Sequence, residues 1–479
     1  LTVRLLGSFR DTGVGHRTPA AVGGGLQGYA SDDPEGLKAG EPQEMARATD
    51  LIGIPGVTFF GYQAGSAQDD AEYSGERNNN IVEVVARSPA GEPLATVVGF
   101  SIGGGNVEVR YLDRRLERPW TGEGPAWLVG RALREGLETE EGEMGEMREG
   151  GEGQPVRLES PFGGQRSGPG GGRGLPFNTF EELCEYAACH PPDEGGEGRP
   201  LISIIHEVEE RLTGRPPAET LAEMERYWTR MEAAAQQGLT DPRLTPMGLT
   251  GDDSNRLAAR VSQGGVFDNL YGRALVFATA VSEHNAKSGS VVACPTAGAC
   301  GILPGILAAY RDTVDPPRER LVEALLVAGF LGMVFFDDVS TAGADFGCQA
   351  EVGAGAAMAA GALAHLEGGT LEQVVQAFTL AIKNCMGLVC DPVAGLVEVP
   401  CVKRNGIYTS VAISAAFMAL AGVKSAVSPD EVVLAVREVG DRLHRDYKET
   451  AGGGLAKTRD GKRVEKKMRE EVRRWLEES

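Results

Sequence analysis

The sequence predicts an α+β multidomain protein: a small N-terminal α+β domain over residues 1–112, a flexible linker over 113–175 and a large all-α domain over 176–479. Three observations lead there. Short runs rich in β-branched and aromatic residues, bounded by Gly, Asn and Asp, stop near residue 112. Residues 135–174 then hold 13 Gly and 9 Glu in 40 positions, with too few large apolar side chains to offset the entropy of ordering them. From Pro176 onward apolar residues recur at the helical period, with almost no alternation.

Taken in order, strands are expected at 2–6, 57–62, 81–86, 95–102 and 107–112. Gly103, Gly104, Gly105 and Asn106 read as the turn of a hairpin rather than a phosphate loop, because strands flank them and no helix follows. Thr179 and Glu182 make a capping box before Phe180, Leu183 and Tyr186, and Pro216 and Pro217 open a long amphipathic run that stops at Gly238. Further helices are expected over about 268–288, 301–311, 317–336, 349–366, 370–387, 407–422 and 429–439. The stretch 350–364 is mostly Ala and Gly, which lowers helix propensity but lets backbones approach closely, so it is expected in the middle of the domain. The last twenty residues mix Lys and Arg with Glu465, Glu470, Glu471 and Glu477 and read as an exposed amphipathic helix.

A net charge of −21 argues against a nucleic-acid partner, since phosphate demands a basic footprint. The longest uninterrupted apolar run, 324–336, has 13 residues, short of a bilayer span, so no membrane partner is expected. The chain starts at Leu1 with no basic and apolar leader pattern, which gives the expectation of a missing N-terminal segment and no signal peptide. Eight Cys in 479 residues are too sparse for a disulfide scaffold and suit a reducing, cytoplasmic setting.

Three segments interrupt the helical pattern with Gly, Pro and Cys. Cys294-Pro-Thr-Ala-Gly-Ala-Cys-Gly-Ile-Leu-Pro304 is a loop opening a helix, either a tight turn or a set of bare N–H groups suited to a carboxylate or phosphate. Gly347-Cys348-Gln349-Ala350-Glu351-Val352-Gly353 is the second, and Cys390-Asp-Pro-Val-Ala-Gly395 continuing to Val399-Pro400-Cys401 is the third. Cys348, Cys390 and Cys401 stand in turns marked by Gly or Pro, whereas Cys184, Cys189 and Cys385 fall in amphipathic runs where a small hydrophobe suffices. Three such thiols suit a soft metal centre, in particular an iron–sulfur cubane with one open iron, and equally three buried structural thiols.

These segments, with Glu449–Ala456, resemble the iron–sulfur-dependent L-serine dehydratases (L-serine ammonia-lyases) from about Pro176 to Met468, including the cysteine separations of 42 and 11. Residues 1–112 resemble part of that family's β domain, through Gly7–Phe9, Gly15–Thr18 and Ser101–Gly105, in the β-then-α order of single-chain members. The resemblance implies that the all-α domain is catalytic and that Cys348, Cys390 and Cys401 hold a 4Fe-4S cluster whose open iron binds L-serine. It also implies that Thr296, Ala297 and Gly298 receive the substrate carboxylate, with Asn285 and Ser340 nearby. The family's Ser-Ser-His-Thr segment, which supplies the base, would precede Leu1, so the expectation is of a chain truncated in its β domain; His16 is the candidate catalytic residue present. Cys294 and Cys300 replace residues that are usually Ala, either as extra thiolates or as packing. A homodimer is expected. The alternatives are a cluster-dependent hydro-lyase acting on a hydroxy acid and a member that binds a metal without catalysis.

Overall fold

A computed structural model describes residues 2–7, 22, 50–51, 54–55, 61–64, 80–87, 93–103, 106–111, 176–189, 199–336 and 338–477. The chain divides into two compact units, one made of Leu1–Ser160, Val393–Leu396 and Glu449–Ser479, the other of Pro161–Pro392 and Val397–Lys448.

In the first unit the described strands are β1 (Thr2–Gly7), β2 (Asp50–Leu51), β3 (Ile54–Pro55), β4 (Gly61–Ala64), β5 (Asn80–Arg87), β6 (Pro93–Gly103) and β7 (Asn106–Tyr111). Five of them form a sheet of order β4-β1-β5-β6-β7, with β1 and β4 parallel and the other pairs antiparallel. The β6–β7 pair places Gly103 opposite Asn106, the hairpin that the glycine run anticipates. Val84 and Val85, neighbours on the central β5, are both buried, and adjacent strand residues face opposite ways, so both faces are shielded there. Of the expected strand at 57–62, residues 57–60 lie outside the described residues. The last helix, Arg459–Glu477, also belongs to this unit and carries exposed Arg463–Asp460 and Arg469–Glu465 pairs at helical spacing.

The second unit is helical. Its helices are α1 (Phe180–Cys189), α2 (Leu201–Thr213), α3 (Pro217–Thr240), α4 (Asp253–Val261), α5 (Leu270–Ala286), α6 (Ile302–Val314), α7 (Arg318–Phe335), α8 (Gly343–Phe346), α9 (Val352–Leu366), α10 (Leu371–Lys383), α11 (Cys401–Leu420) and α12 (Pro429–Arg442); Arg459–Glu477 is α13. Among the described residues, no helix is long and apolar enough to cross a membrane.

The Ala/Gly-rich α9 sits where its composition puts it. All its residues except His365 are buried, and it packs against α6, α7, α10 and α11. A Cβ on Gly355 would stand 3.2 Å from the Cys294 carbonyl oxygen, so the missing side chain is what lets the segment that begins at Cys294 rest on this helix. At α1, Thr179 Oγ1 accepts the Glu182 N–H at 3.2 Å, while the Glu182 carboxylate takes the Asn178 N–H, one residue earlier than a capping box requires. Asp430, at the start of α12, accepts the Phe180 and Glu181 N–H groups and completes that cap.

Three boundaries differ from the expectations. Gly238 does not stop α3, which runs on to Thr240; a Cβ there would lie 2.0 Å from the Ala280 oxygen, so this glycine serves the crossing of α3 over α5. Helix α9 starts at Val352 because Gly347–Gln349 is a separate tight turn. Helix α11 starts at Cys401 rather than near 407, directly after Pro400.

Candidate metal centre

The centre grows from the turn before α9. Gly347 has φ +70°, and a side chain there would press on the Leu388 oxygen, so the backbone reverses tightly and delivers Cys348 and Glu351 to the same side. Gln349, fully buried, locks the turn: its N–H bonds the Leu388 oxygen, its Nε2 bonds the Val436 oxygen, and its Oε1 accepts the Gly387 N–H. Cys390 arrives in an extended segment whose N–H bonds the Tyr447 oxygen at 2.8 Å. Cys348, Glu351 and Cys390 then present ligand atoms all within 4.8 Å of one another, and all three residues are buried. Glu351 Oε2 lies 3.8 Å from Cys348 Sγ and 4.0 Å from Cys390 Sγ.

Cys401 stands in the first turn of α11, also buried, and is not one of the group within 4.8 Å. One turn on, Arg404 clasps the backbone around Cys390. Its Nη1 donates to the Val389 oxygen at 2.9 Å and its Nη2 to Asp391 Oδ1 at 3.2 Å, one residue on either side. Burial opposes the charge of this guanidinium, but Cys348, Cys401 and Asp391 together outweigh it and raise its pKa. Arg404 therefore faces two of the expected cysteine ligands and grips the chain beside the third.

The substrate-loop candidates adjoin this group. Thr296 is extended and leads into the tight turn Ala297–Ala299, whose first N–H groups have no partner within the turn. Thr296 Oγ1 donates to Glu351 Oε1 at 2.8 Å. Gly298 and Gly343 admit the carboxylate: a Cβ on Gly298 would sit 3.2 Å from Oε1 and one on Gly343 only 2.3 Å from Oε2. Asn285, half-buried at the end of α5, donates to the Ala297 oxygen at 3.1 Å and so braces the loop. Ser340 Oγ donates to Asp345 at 2.7 Å and accepts the Ala342 N–H, which shapes the segment leading to Gly343. His16 lies outside the described residues.

Cys294 and Cys300 are buried, and burial pushes the Cys294 thiol up to about 12 and the Cys300 thiol well above its ordinary value. Such thiols are poor thiolates, which favours packing over ligation. Cys385 is buried just beyond α10 and is likewise pushed up to about 12.

Sequence reasoning did not single out four residues of the site: Glu351, Asp391, Arg404 and Asn405. The buried Asn405 bonds the Gly298 and Cys401 oxygens through Nδ2 and accepts the Gly301 N–H through Oδ1, tying the loop to the first turn of α11. Asn405 follows Lys403 and Arg404 and gave no signal of burial, whereas Glu351 stood inside the cysteine motif itself. Segment 241–253 is fastened beside them by two buried carboxylates. Glu398 accepts from Thr245, Met247 and Leu249, Glu283 accepts from Thr250, Gly251, Asp253 and Ser254, and Lys403 pairs with Asp253 at 2.8 Å.

Comparison with known proteins matches residues 194–456 to the family described as Serine dehydratase alpha chain. The chain is 42% identical over 294 residues to the probable L-serine dehydratase, alpha chain, of Bacillus subtilis (strain 168), covering 61% of this chain and 95% of that one. It is 32% identical over 463 residues to the L-serine dehydratase of Streptomyces coelicolor, covering 95% and 88% respectively. With the L-serine dehydratase TdcG of Escherichia coli (strain K12) it shares 37% identity over 254 residues, 51% of this chain and 56% of the relative.

Proposed function

The chain belongs to the serine dehydratase alpha-chain family, and from that premise we propose that it deaminates L-serine to pyruvate and ammonia by eliminating water. The observation that carries the reading is the convergence of Cys348, Cys390 and Glu351 beside the Thr296–Gly298 loop. The donor set, two buried thiols and a carboxylate with ligand atoms within 4.8 Å of one another, is of a kind that a soft metal takes. Cys348, Cys390 and Cys401 would hold a 4Fe-4S cluster, with Arg404 offsetting their charge. When bound, the cluster supplies Lewis acidity that polarises the serine β-hydroxyl so that it leaves as water.

This chain's own residues do the rest. The N–H groups at Ala297 and Gly298 receive the substrate carboxylate, and Asn285 and Asn405 keep that loop in register. Ser340 sets the approach to Gly343, whose missing side chain leaves room for the Glu351 carboxylate at the edge of the substrate site. A base takes the Cα proton, and the enamine released after water loss hydrolyses to pyruvate and ammonia; His16 stays a candidate catalytic residue. In this reading residues 1–112 form a small α+β domain, 113–175 a linker and 176–479 the catalytic domain, in a cytoplasmic homodimer.

A second reading of the cofactor is favoured by one distance. Ligand atoms within 4.8 Å of one another suit donors to a single ion, whereas a cubane asks the Cys348 and Cys390 side chains to part.

Anaerobic loading with iron and sulfide separates the two: about four irons with matching sulfide per chain support the cluster, and one ion without sulfide supports the single-metal site. Pyruvate and ammonia formed from serine, with no turnover of malate or citrate, supports the lyase assignment over a hydroxy-acid hydro-lyase. Metal uptake without serine turnover would leave only a binding protein.

A further inference from the structure

A serine held by its carboxylate at the Ala297 and Gly298 N–H groups and by its β-hydroxyl at the metal has a third polar group to place. Its α-amino group is an ammonium ion at neutral pH and sits on the carbon next to the carboxylate, so its acceptor must stand beside the loop. Glu351 stands there. Its Oε1 accepts the Thr296 hydroxyl at 2.8 Å, and a Cβ on Gly298 would lie 3.2 Å from that oxygen and 3.5 Å from Thr296 Oγ1, so the carboxylate lies against the loop residues themselves. Other buried carboxylates of this region are committed elsewhere: Asp391 pairs with Arg404, and Glu283 and Glu398 take N–H and hydroxyl groups of segment 245–254. Glu351 Oε2 accepts from Cys348 and Cys390 at 3.8 and 4.0 Å, but thiols that ligate a metal do so as thiolates and cease to donate. A substrate carboxylate brought against a buried glutamate is repelled by it, and a cation between the two turns that repulsion into attraction. An α-amino acid carries such a cation with it; a 2-hydroxy acid does not.

We infer that Glu351 is the acceptor of the substrate's α-ammonium group, oriented by Thr296 through Oε1, and that it makes the site select α-amino acids over 2-hydroxy acids. The inference rests on the serine reading above and deepens it: carboxylate, hydroxyl and ammonium each meet a different part of the site, three points that fix the hand of the α-carbon as well as its substituents.

Calorimetric titration of the full chain, loaded anaerobically with iron and sulfide, with L-alanine and with L-lactate tests this without turnover. Neither has a β-hydroxyl to eliminate, and the two differ only in an ammonium against a hydroxyl on the α-carbon. The wild type should bind L-alanine about 10-fold or more tightly than L-lactate, the scale of one charge-assisted hydrogen bond. In E351Q the ratio should fall to within about 2-fold of unity, with L-lactate bound no more weakly than before. In E351D, which draws the carboxylate back by one methylene, the ratio should fall in between. Damage to the loop or to the metal centre lowers both affinities together, so the ratio reads the ammonium contact alone. A wild type that does not prefer L-alanine, or a ratio unchanged in E351Q, overturns the inference; should E351Q not fold, an unchanged ratio in E351D does so. Pyruvate still formed from serine in that case leaves the lyase standing. A ratio that falls as expected with no pyruvate from serine keeps the ammonium contact and overturns the lyase.

Discussion

Asn405 satisfies three backbone groups on two chain segments with one buried amide, and its loss would orphan them together. Asn405→Ala should therefore cost about 2–4 kcal/mol in a urea titration, the scale of a few buried polar groups left without partners. Among the cysteines the expected contrast is chemical. Cys390→Ser should fail to retain iron after anaerobic loading, whereas Cys385→Ser, whose thiol is buried and held up near 12, should retain it. On the proposal that His16 acts in catalysis, His16→Ala should lower kcat by about 10²- to 10⁴-fold with KM little changed. An unaltered kcat would remove His16 from the mechanism. At this scale the sequence was most legible where chemistry and backbone coincide: Cys348, Cys390 and Cys401 stood out by the Gly and Pro beside them, and the first two converge while Cys401 is not one of the group within 4.8 Å. Arg404 and Asn405 were illegible because a charged or amide residue in a helix is ordinarily a solvated one, and only the packing shows that these two face inward.

Helices in this domain are set apart by their glycines as much as by their apolar faces. Gly238 lies under the Ala280 carbonyl at the crossing of α3 and α5, while Gly329, on the exposed face of α7, has nothing within 4 Å of the point where a methyl group would stand. Gly238→Ala should destabilise by about 1–3 kcal/mol through overpacking, and Gly329→Ala should stabilise by up to about 1 kcal/mol through helix propensity, both read as shifts of the urea midpoint. The sequence showed most of the helices because their apolar period is long and regular. It left out α2, although Leu201, Ile204, Ile205 and Val208 recur at the helical period, and it missed α4, nine residues whose only buried member is Ser254. It also read Gly238 as a terminator, since a glycine that ends a helix and one that admits a neighbouring helix look alike until the neighbour is known.

For the molecule as a whole, acid is the informative perturbation. Burial is the leading cause of a lowered pKa at His206, His284 and His365, so the folded state prefers these rings neutral. The unfolded chain then binds more protons than the folded one below the ordinary histidine value of about 6.5, and stability must fall as pH drops through that value toward the lowered ones. Urea midpoints should be flat from about pH 8 to 7 and decline toward pH 5; a midpoint that rises over that interval would contradict the burial of these rings. The proposed homodimer belongs to this scale too. Ile407, Phe417 and Met418 are exposed on α11, and sedimentation should show a dimer that charge substitution at Phe417 dissociates.

Gln349 joins residues 38 and 87 positions away in the sequence, Gly387 and Val436, to the turn that carries Cys348. Contacts of such span carry a loop-closure cost that the packing of the intervening helices offsets. The turn that carries Cys348 is thus held by protein contacts of its own, and on the proposed reading the metal enters a site that these contacts already shape.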